Sequence, residues 1–198
     1  MRWESLKPFT ETGISPEVSK LFSTLKVEAR LAFDSEWVLE FRVHQGTSEG
    51  GADLPELRGL RAEGLWKGTC FEAFFGVAGS EAYYEFNGAL NGDWDLYAFD
   101  SYRSGMRRVE VPAVSGAEAG EAAPTLTSPT LTHRSSDPLT VGFRIPAAMI
   151  GVPGQIDRVG LTVVWMTSNG PTYWALNHSG MKPDFHLRSS FTYDPIRN

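Results

Sequence analysis

The sequence predicts an all-β protein, an antiparallel β-sandwich of jelly-roll or immunoglobulin-like type. Short runs rich in aromatic and β-branched residues recur along the chain and alternate with period two. Turn formers separate them, among them Asp34-Ser35, Asn91-Gly92 and Ser168-Asn169-Gly170-Pro171. Helical periodicity is almost absent, and no repeat of fixed length occurs, which leaves a sandwich or barrel as the architecture. The 198 residues suffice for a self-supporting core, so one domain over 1–198 is expected.

Taken in order, residues 1–25 are irregular in pattern, with one helical turn expected over Pro16–Phe22 behind Ser15 as cap. In the run KVEARLAF, Val27, Ala29, Leu31 and Phe33 face one way and Lys26, Glu28 and Arg30 the other. WVLEFRVH repeats the alternation with Trp37, Leu39, Phe41 and Val43 on its apolar side. These two strands form an antiparallel pair with one wet face. Gln45 to Glu63 is a polar, glycine-rich loop.

The aromatic stretch from Leu65 to Met106 then contributes three strands, Thr69–Val77, Ala82–Ala89 and Asp93–Asp100, with Asn91-Gly92 as a hairpin turn. Phe71, Ala73, Phe75 and Val77 share one face of the first strand, while Cys70, Glu72 and Phe74 share the other. Glu85 shares a face with Tyr83 and Asn87, opposite Tyr84 and Phe86. A half-buried strand normally has a polar second face. Here the second face mixes aromatics with carboxylates, so it is either covered by a loop or offered to a ligand.

Arg107–Val111 continues as a short strand, and 112–124 reads as a mobile surface loop. Leu126–His133 and Leu139–Ile145 are strands, Pro146–Gly151 one helical turn, and Arg158–Thr167 a strand with Val159, Leu161, Val163 and Trp165 inward. Tyr173–Leu176 and a final run, Phe185–Tyr193, close the sequence.

Composition excludes several classes of function. The formal charge of −6 disfavours nucleic acid and anionic membranes as partners. No run approaches the roughly 20 apolar residues of a membrane helix. The N-terminus lacks the apolar stretch of a secretory signal, so a cytoplasmic location is expected if Met1 is the native start. The single cysteine, Cys70, has no internal disulfide partner and sits on a strand beside Phe71, which reads as an inert core thiol. There is no GxSxG, HExxH or phosphate-cradling glycine loop. Glu72, Glu85, Asp93 and Asp95 supply carboxylates for glycoside hydrolysis only at a fixed separation, and exposed strands carry such residues for other reasons. Asn91 and Asp93 read as turn formers.

The segments LWKGTCFEAFF, YYEFN, GDWDLYAFDSYR, TYWALNH and KPDFH resemble the bacterial DOMON-like proteins, relatives of the family-nine carbohydrate-binding modules. The resemblance spans roughly residues 60 to 193, carried by the order and spacing of the segments. It implies a single β-sandwich whose ligand, a sugar in some members and a haem in others, lies in a groove on one face. The sugar-binding members hold a sugar between two tryptophans, the first of them six positions before a strand carboxylate. Trp66 and Glu72 have that spacing, and Trp174 matches the second tryptophan. A basic residue from mid-module also takes part, either Arg103 or Arg107, and Asn177 matches a late amide. A haem needs two axial ligands, and Met106, His178, His186 and Met181 lie in regions that the resemblance places near the groove. Asp184 and His186 share a strand face, with His178 upstream, but their spacing matches no zinc signature.

A sugar site needs flat aromatic surface for the apolar C–H face and polar groups for the hydroxyls. Trp66, Trp174, Glu72 and Arg107 supply both kinds, and Glu85, Asn87 and Asp93, on or beside adjacent strands, are candidates to extend the polar patch. The competing reading makes both tryptophans core residues and Glu72–Arg107 a structural ion pair. The expected function is therefore non-catalytic binding of a carbohydrate or sugar-containing metabolite, with no cofactor. A haem-binding electron-transfer or sensing module is second, and a protein-interaction module third.

Overall fold

The computed structural model describes residues 2–10, 16–45, 54–111 and 128–197. The loop expected at 112–124 and the cap Ser15 lie outside them. The fold is an antiparallel β-sandwich. Among the described residues eleven strands line up as two sheets that share their first strand, β1 (Glu4–Pro8). The first sheet runs from β1 through β2 (Leu25–Phe33), β3 (Glu36–Gln45) and β9 (Leu139–Pro146) to β8 (Thr130–Ser136). The second runs from β1 through β11 (Gly170–Ala175), β10 (Ile156–Thr167), β4 (Cys70–Val77), β5 (Tyr83–Gly88) and β6 (Trp94–Phe99) to β7 (Arg107–Arg108). Two short helices, α1 (Pro16–Thr24) and α2 (Ala147–Ile150), sit between β1 and β2 and after β9.

Strand β1 was not expected in the irregular N-terminal segment. Glu4, Ser5 and Leu6 pair with β2, and Lys7 and Pro8 with β11, so one five-residue strand turns the corner between the sheets. It covers an edge that each sheet would otherwise expose. Its sequence, ESLKP, buries only Leu6, which is why no alternation announces it.

The core lies between the sheets and follows the alternation of the sequence. Val27, Ala29, Leu31, Leu39, Phe41 and Val43 from the first sheet meet Phe71, Ala73, Phe75, Phe86, Val159, Leu161 and Val163 from the second. Trp37 fills the same layer, and its indole N–H donates to the Gly151 carbonyl at 2.8 Å, past the end of α2. The large buried aromatic surface here is the main stabilising term.

Two segments differ from expectation. Only Arg107 and Arg108 of the run 107–111 pair as a strand. Phe185–Tyr193 forms no strand: it crosses the outer face of the second sheet irregularly, with a 3-10 turn at Arg188–Ser190 and one bridge from Tyr193 to Val159. Its end is pinned where the Tyr193 hydroxyl donates to the Leu31 carbonyl at 2.7 Å. Among the described residues no helix is long and apolar enough to cross a membrane.

Candidate functional site

The outer face of the second sheet carries the unusual mixture, and pairing register fixes its layout. Across β10, β4, β5 and β6 one row reads Thr162, Glu72, Asn87, Asp95; the next reads Gly160, Phe74, Glu85, Tyr97. Facing residues in such rows lie about 5 Å apart and diagonal ones about 7–8 Å, so Glu72 and Glu85 are diagonal neighbours. The face is partly covered and partly open. Phe185, His186 and Phe191 of the C-terminal segment lie over Phe74, with ring centroids 6.4, 5.2 and 5.7 Å away. Tyr83 stacks on Phe99 at 4.7 Å beside them.

Between this cover and the strands lies a cavity of about 440 Å³, within the range of small-ligand sites. Its floor is made by Glu72, Glu85, Phe74, Phe99 and Val164, all buried. Its rim is Trp66, Arg103, Met106, Tyr173, Pro183, Phe185 and His186. Trp66 stands on the 3-10 turn Leu65–Lys67 that leads into β4, 36% exposed, with its ring edge against Tyr97 at 5.7 Å. The cavity thus sets two carboxyls among aromatic and apolar side chains.

The polar floor is organised by uncharged donors. The Thr162 hydroxyl donates to Glu72 at 3.0 Å, and the Asn87 amide donates to Glu85 at 2.8 Å. Cys70 donates to the Asn87 carbonyl oxygen at 3.3 Å. Burial, and for Glu72 the neighbouring charge of Glu85, holds both carboxyls above the ordinary range. Burial also pushes the Cys70 thiol well up, with the two carboxylates adding to the effect. His186 goes the other way: burial and the nearby Arg103 charge bring it down to about 4. Its Nδ1 meets the Tyr83 hydroxyl at 2.8 Å. Arg103 at the rim pairs with Asp184 at 3.0 Å, and Tyr102 donates to the same carboxylate.

Of the residues singled out from sequence, Trp66, Glu72, Glu85, Arg103, Met106 and His186 converge on this cavity. Trp174, Arg107, Asn177 and His178 lie elsewhere, as does Met181, which is fully exposed outside the cavity. Trp174 is on the inner face of β11, 2% exposed, against Phe22 at 5.5 Å, with its indole N–H donating to Thr172. The two tryptophans therefore do not face each other across the groove. Arg107 points away on β7 and pairs with Asp100 at 2.6 Å, so no Glu72–Arg107 pair forms. The Asn177 amide reaches only the Ser189 carbonyl, at 3.5 Å. His178 donates to the Lys7 carbonyl at 2.9 Å and packs between Phe9 and Phe185, which burial makes a weaker base.

Asn91 and Asp93 do turn chemistry: the Asn91 side chain accepts from the Asp93 N–H at 3.0 Å and donates to its carboxylate at 2.8 Å. Asp95 is clamped by Arg61 at 2.8 Å and Arg108 at 3.0 Å. Among the described residues no cluster of three or more His, Cys, Asp or Glu is arranged to hold a metal ion. Sequence reasoning did not place Tyr173, Phe99, Val164, Pro183 and Phe185 at the site. For Tyr173 the signal existed, since alternation along β11 sets it opposite Trp174.

No family model matches the chain, and no curated protein matches it. Among solved structures it is similar to a “putative carbohydrate-binding protein” from Bacteroides uniformis ATCC 8492. The TM-score is 0.63 and the identity 14%, over 97% of this chain and 84% of that one. At that identity the likeness establishes a shared fold.

Proposed function

We propose that this chain is a non-catalytic binding module for a carbohydrate or sugar-containing metabolite, held in the cavity on the outer face of the second sheet. The observation that carries the reading is the composition of that cavity. A half-exposed Trp66 stands at its rim with Arg103, and Glu72 and Glu85 lie in its floor. A pyranose presents an apolar C–H face and a polar edge, and stacking on Trp66 with hydroxyls turned to the carboxyls satisfies both. The fold shared with a protein described as carbohydrate-binding is consistent with this reading, as is the finer resemblance to DOMON-like proteins.

Less supports the haem alternative. Met106 and His186 both line the cavity. His186, however, has its Nδ1 bonded to the Tyr83 hydroxyl, and its Nε2 faces Glu85 at 3.9 Å. His178 has its Nε2 on Lys7 and is outside the cavity.

The test is a sugar panel read by tryptophan fluorescence and calorimetry on wild type and Trp66→Ala. A saturable sugar signal that disappears in a folded Trp66→Ala protein is the expected result. A variant that binds as wild type does removes Trp66 from the site, and a panel without any binder ends the carbohydrate reading.

A further inference from the structure

We infer that the ligand of this cavity carries a primary ammonium group, and that the module takes an amino sugar with its amine free. The inference rests on the carbohydrate reading of the same cavity and narrows it to one ligand class.

The argument starts from charge. Glu72 and Glu85 line the floor and are 2% and 5% exposed. Their bonded partners are the neutral donors Thr162 and Asn87. Among the described residues no lysine or arginine lies within ion-pairing distance of either carboxyl. His186 lies 3.9 Å from Oε2 of Glu85 and is held uncharged by burial, and Arg103 acts on Glu85 only through space, beyond ion-pairing distance. Arg103 reaches the cavity but commits its guanidinium to Asp184 at 3.0 Å. Burying two carboxyls without a cation costs the fold stability, and a cation that enters from outside relieves that cost.

The chemistry of the cation follows from the atoms that wait for it. Oε2 of Glu85 accepts no hydrogen bond from the described residues, whereas Oε1 takes the Asn87 amide. An ammonium brings three N–H donors and one charge in a compact group. A quaternary ammonium has no N–H to give these oxygens. An acidic sugar or a nucleotide-sugar would bring negative charge toward two carboxyls. Trp66, 36% exposed at the rim, supplies aromatic surface that suits both a sugar's C–H face and a neighbouring cation.

The experiment is calorimetric titration of the full chain, near neutral pH, with D-glucosamine, D-glucose, N-acetyl-D-glucosamine and ethanolamine. It is repeated on Glu85→Gln and Glu72→Gln, which keep the side-chain shape and remove the charge, with circular dichroism as the check of folding. Glucosamine is expected to bind wild type about tenfold or more tighter than the two neutral sugars, the weight of one charge-assisted hydrogen bond. That preference is expected to vanish in Glu85→Gln. Equal or tighter binding of a neutral sugar overturns the inference and leaves the carbohydrate reading standing. A preference undiminished in both glutamine variants also overturns it, because the ammonium is then read elsewhere. Ethanolamine as tight as glucosamine removes the sugar from the recognition, and with it both the carbohydrate reading and this one. Silence from all four ligands overturns the ammonium assignment.

Discussion

Tyr83 and His186 lie 103 positions apart in the chain and share a hydrogen bond of 2.8 Å. The Tyr83 oxygen also accepts the backbone N–H of Arg103 at 3.3 Å. The other ring nitrogen, Nε2, faces Glu85 Oε2 across 3.9 Å. The gap is too long for a direct bond. Asp184 completes the arrangement, accepting the His186 backbone N–H at 3.1 Å and pairing with Arg103. One short segment therefore roofs the cavity and sets the polarity of its inner wall.

This roof makes stability depend on acid. His186 titrates at about 4 in the folded protein, against 6.5 for an ordinary imidazole. Between those values the unfolded chain binds a proton that the folded chain refuses, so stability falls as pH falls. The contribution is fully present above about 6.5 and is lost on the way down to about 4, up to about 3 kcal/mol. Urea titrations of wild type and His186→Gln should show the wild-type advantage shrinking by that order across the window. Parallel curves would remove His186 as the cause.

The two tryptophans should separate cleanly. Trp174 is buried in the core against Phe22, and Trp174→Ala should cost about 3–5 kcal/mol through lost burial and the cavity left behind. Trp66 is 36% exposed with one edge contact to Tyr97, and Trp66→Ala should cost no more than about 1.5 kcal/mol. Denaturant midpoints at constant m-value decide between them. The reverse order would mean that the indole of Trp66 holds the β4 entry turn in place.

These two residues also mark how far the sequence could be read. Period-two alternation assigned Cys70, Glu72 and Phe74 to one face and Phe71, Ala73 and Phe75 to the other, and both sets lie where parity puts them. The same rule could have placed Trp174. It pairs with Val163 across the turn at 168–169, cross-strand partners share a face, and Val163 is inward. Weight given to family position over parity moved the expected site from Tyr173 to its neighbour. Strand β1 was hidden for a different reason: five residues with one buried side chain carry too little pattern to stand out. The roof was beyond reach altogether. Nothing local in residues 183–191 specifies that they lie on Phe74 and Tyr83, because the contacts that hold them come from strands a hundred positions earlier.

The carboxyl pair gives the last prediction, with a sign opposite to that of His186. Burial, joined at Glu72 by the charge of Glu85 and at Glu85 by that of Asp95, holds both carboxyls above the ordinary 4.5, so the folded protein binds protons that the unfolded chain has released. Their stabilising contribution is complete below 4.5 and is lost as pH rises through the folded values. Glu72→Gln copies the protonated form, and the Thr162 hydroxyl still has a carbonyl oxygen to donate to. The variant should match wild type at acid pH and exceed it at neutral and alkaline pH, by an amount of order 1–3 kcal/mol. Cys70, whose thiol is pushed well up, stays protonated beside it and does not obscure the comparison. Thermal unfolding across pH reads the gap directly. A gap that is constant, or that opens on the acid side, would show that Glu72 is ionised and compensated in the fold. A gap that opens with pH identifies a carboxyl that weakens the resting protein, as expected of a group placed for a ligand.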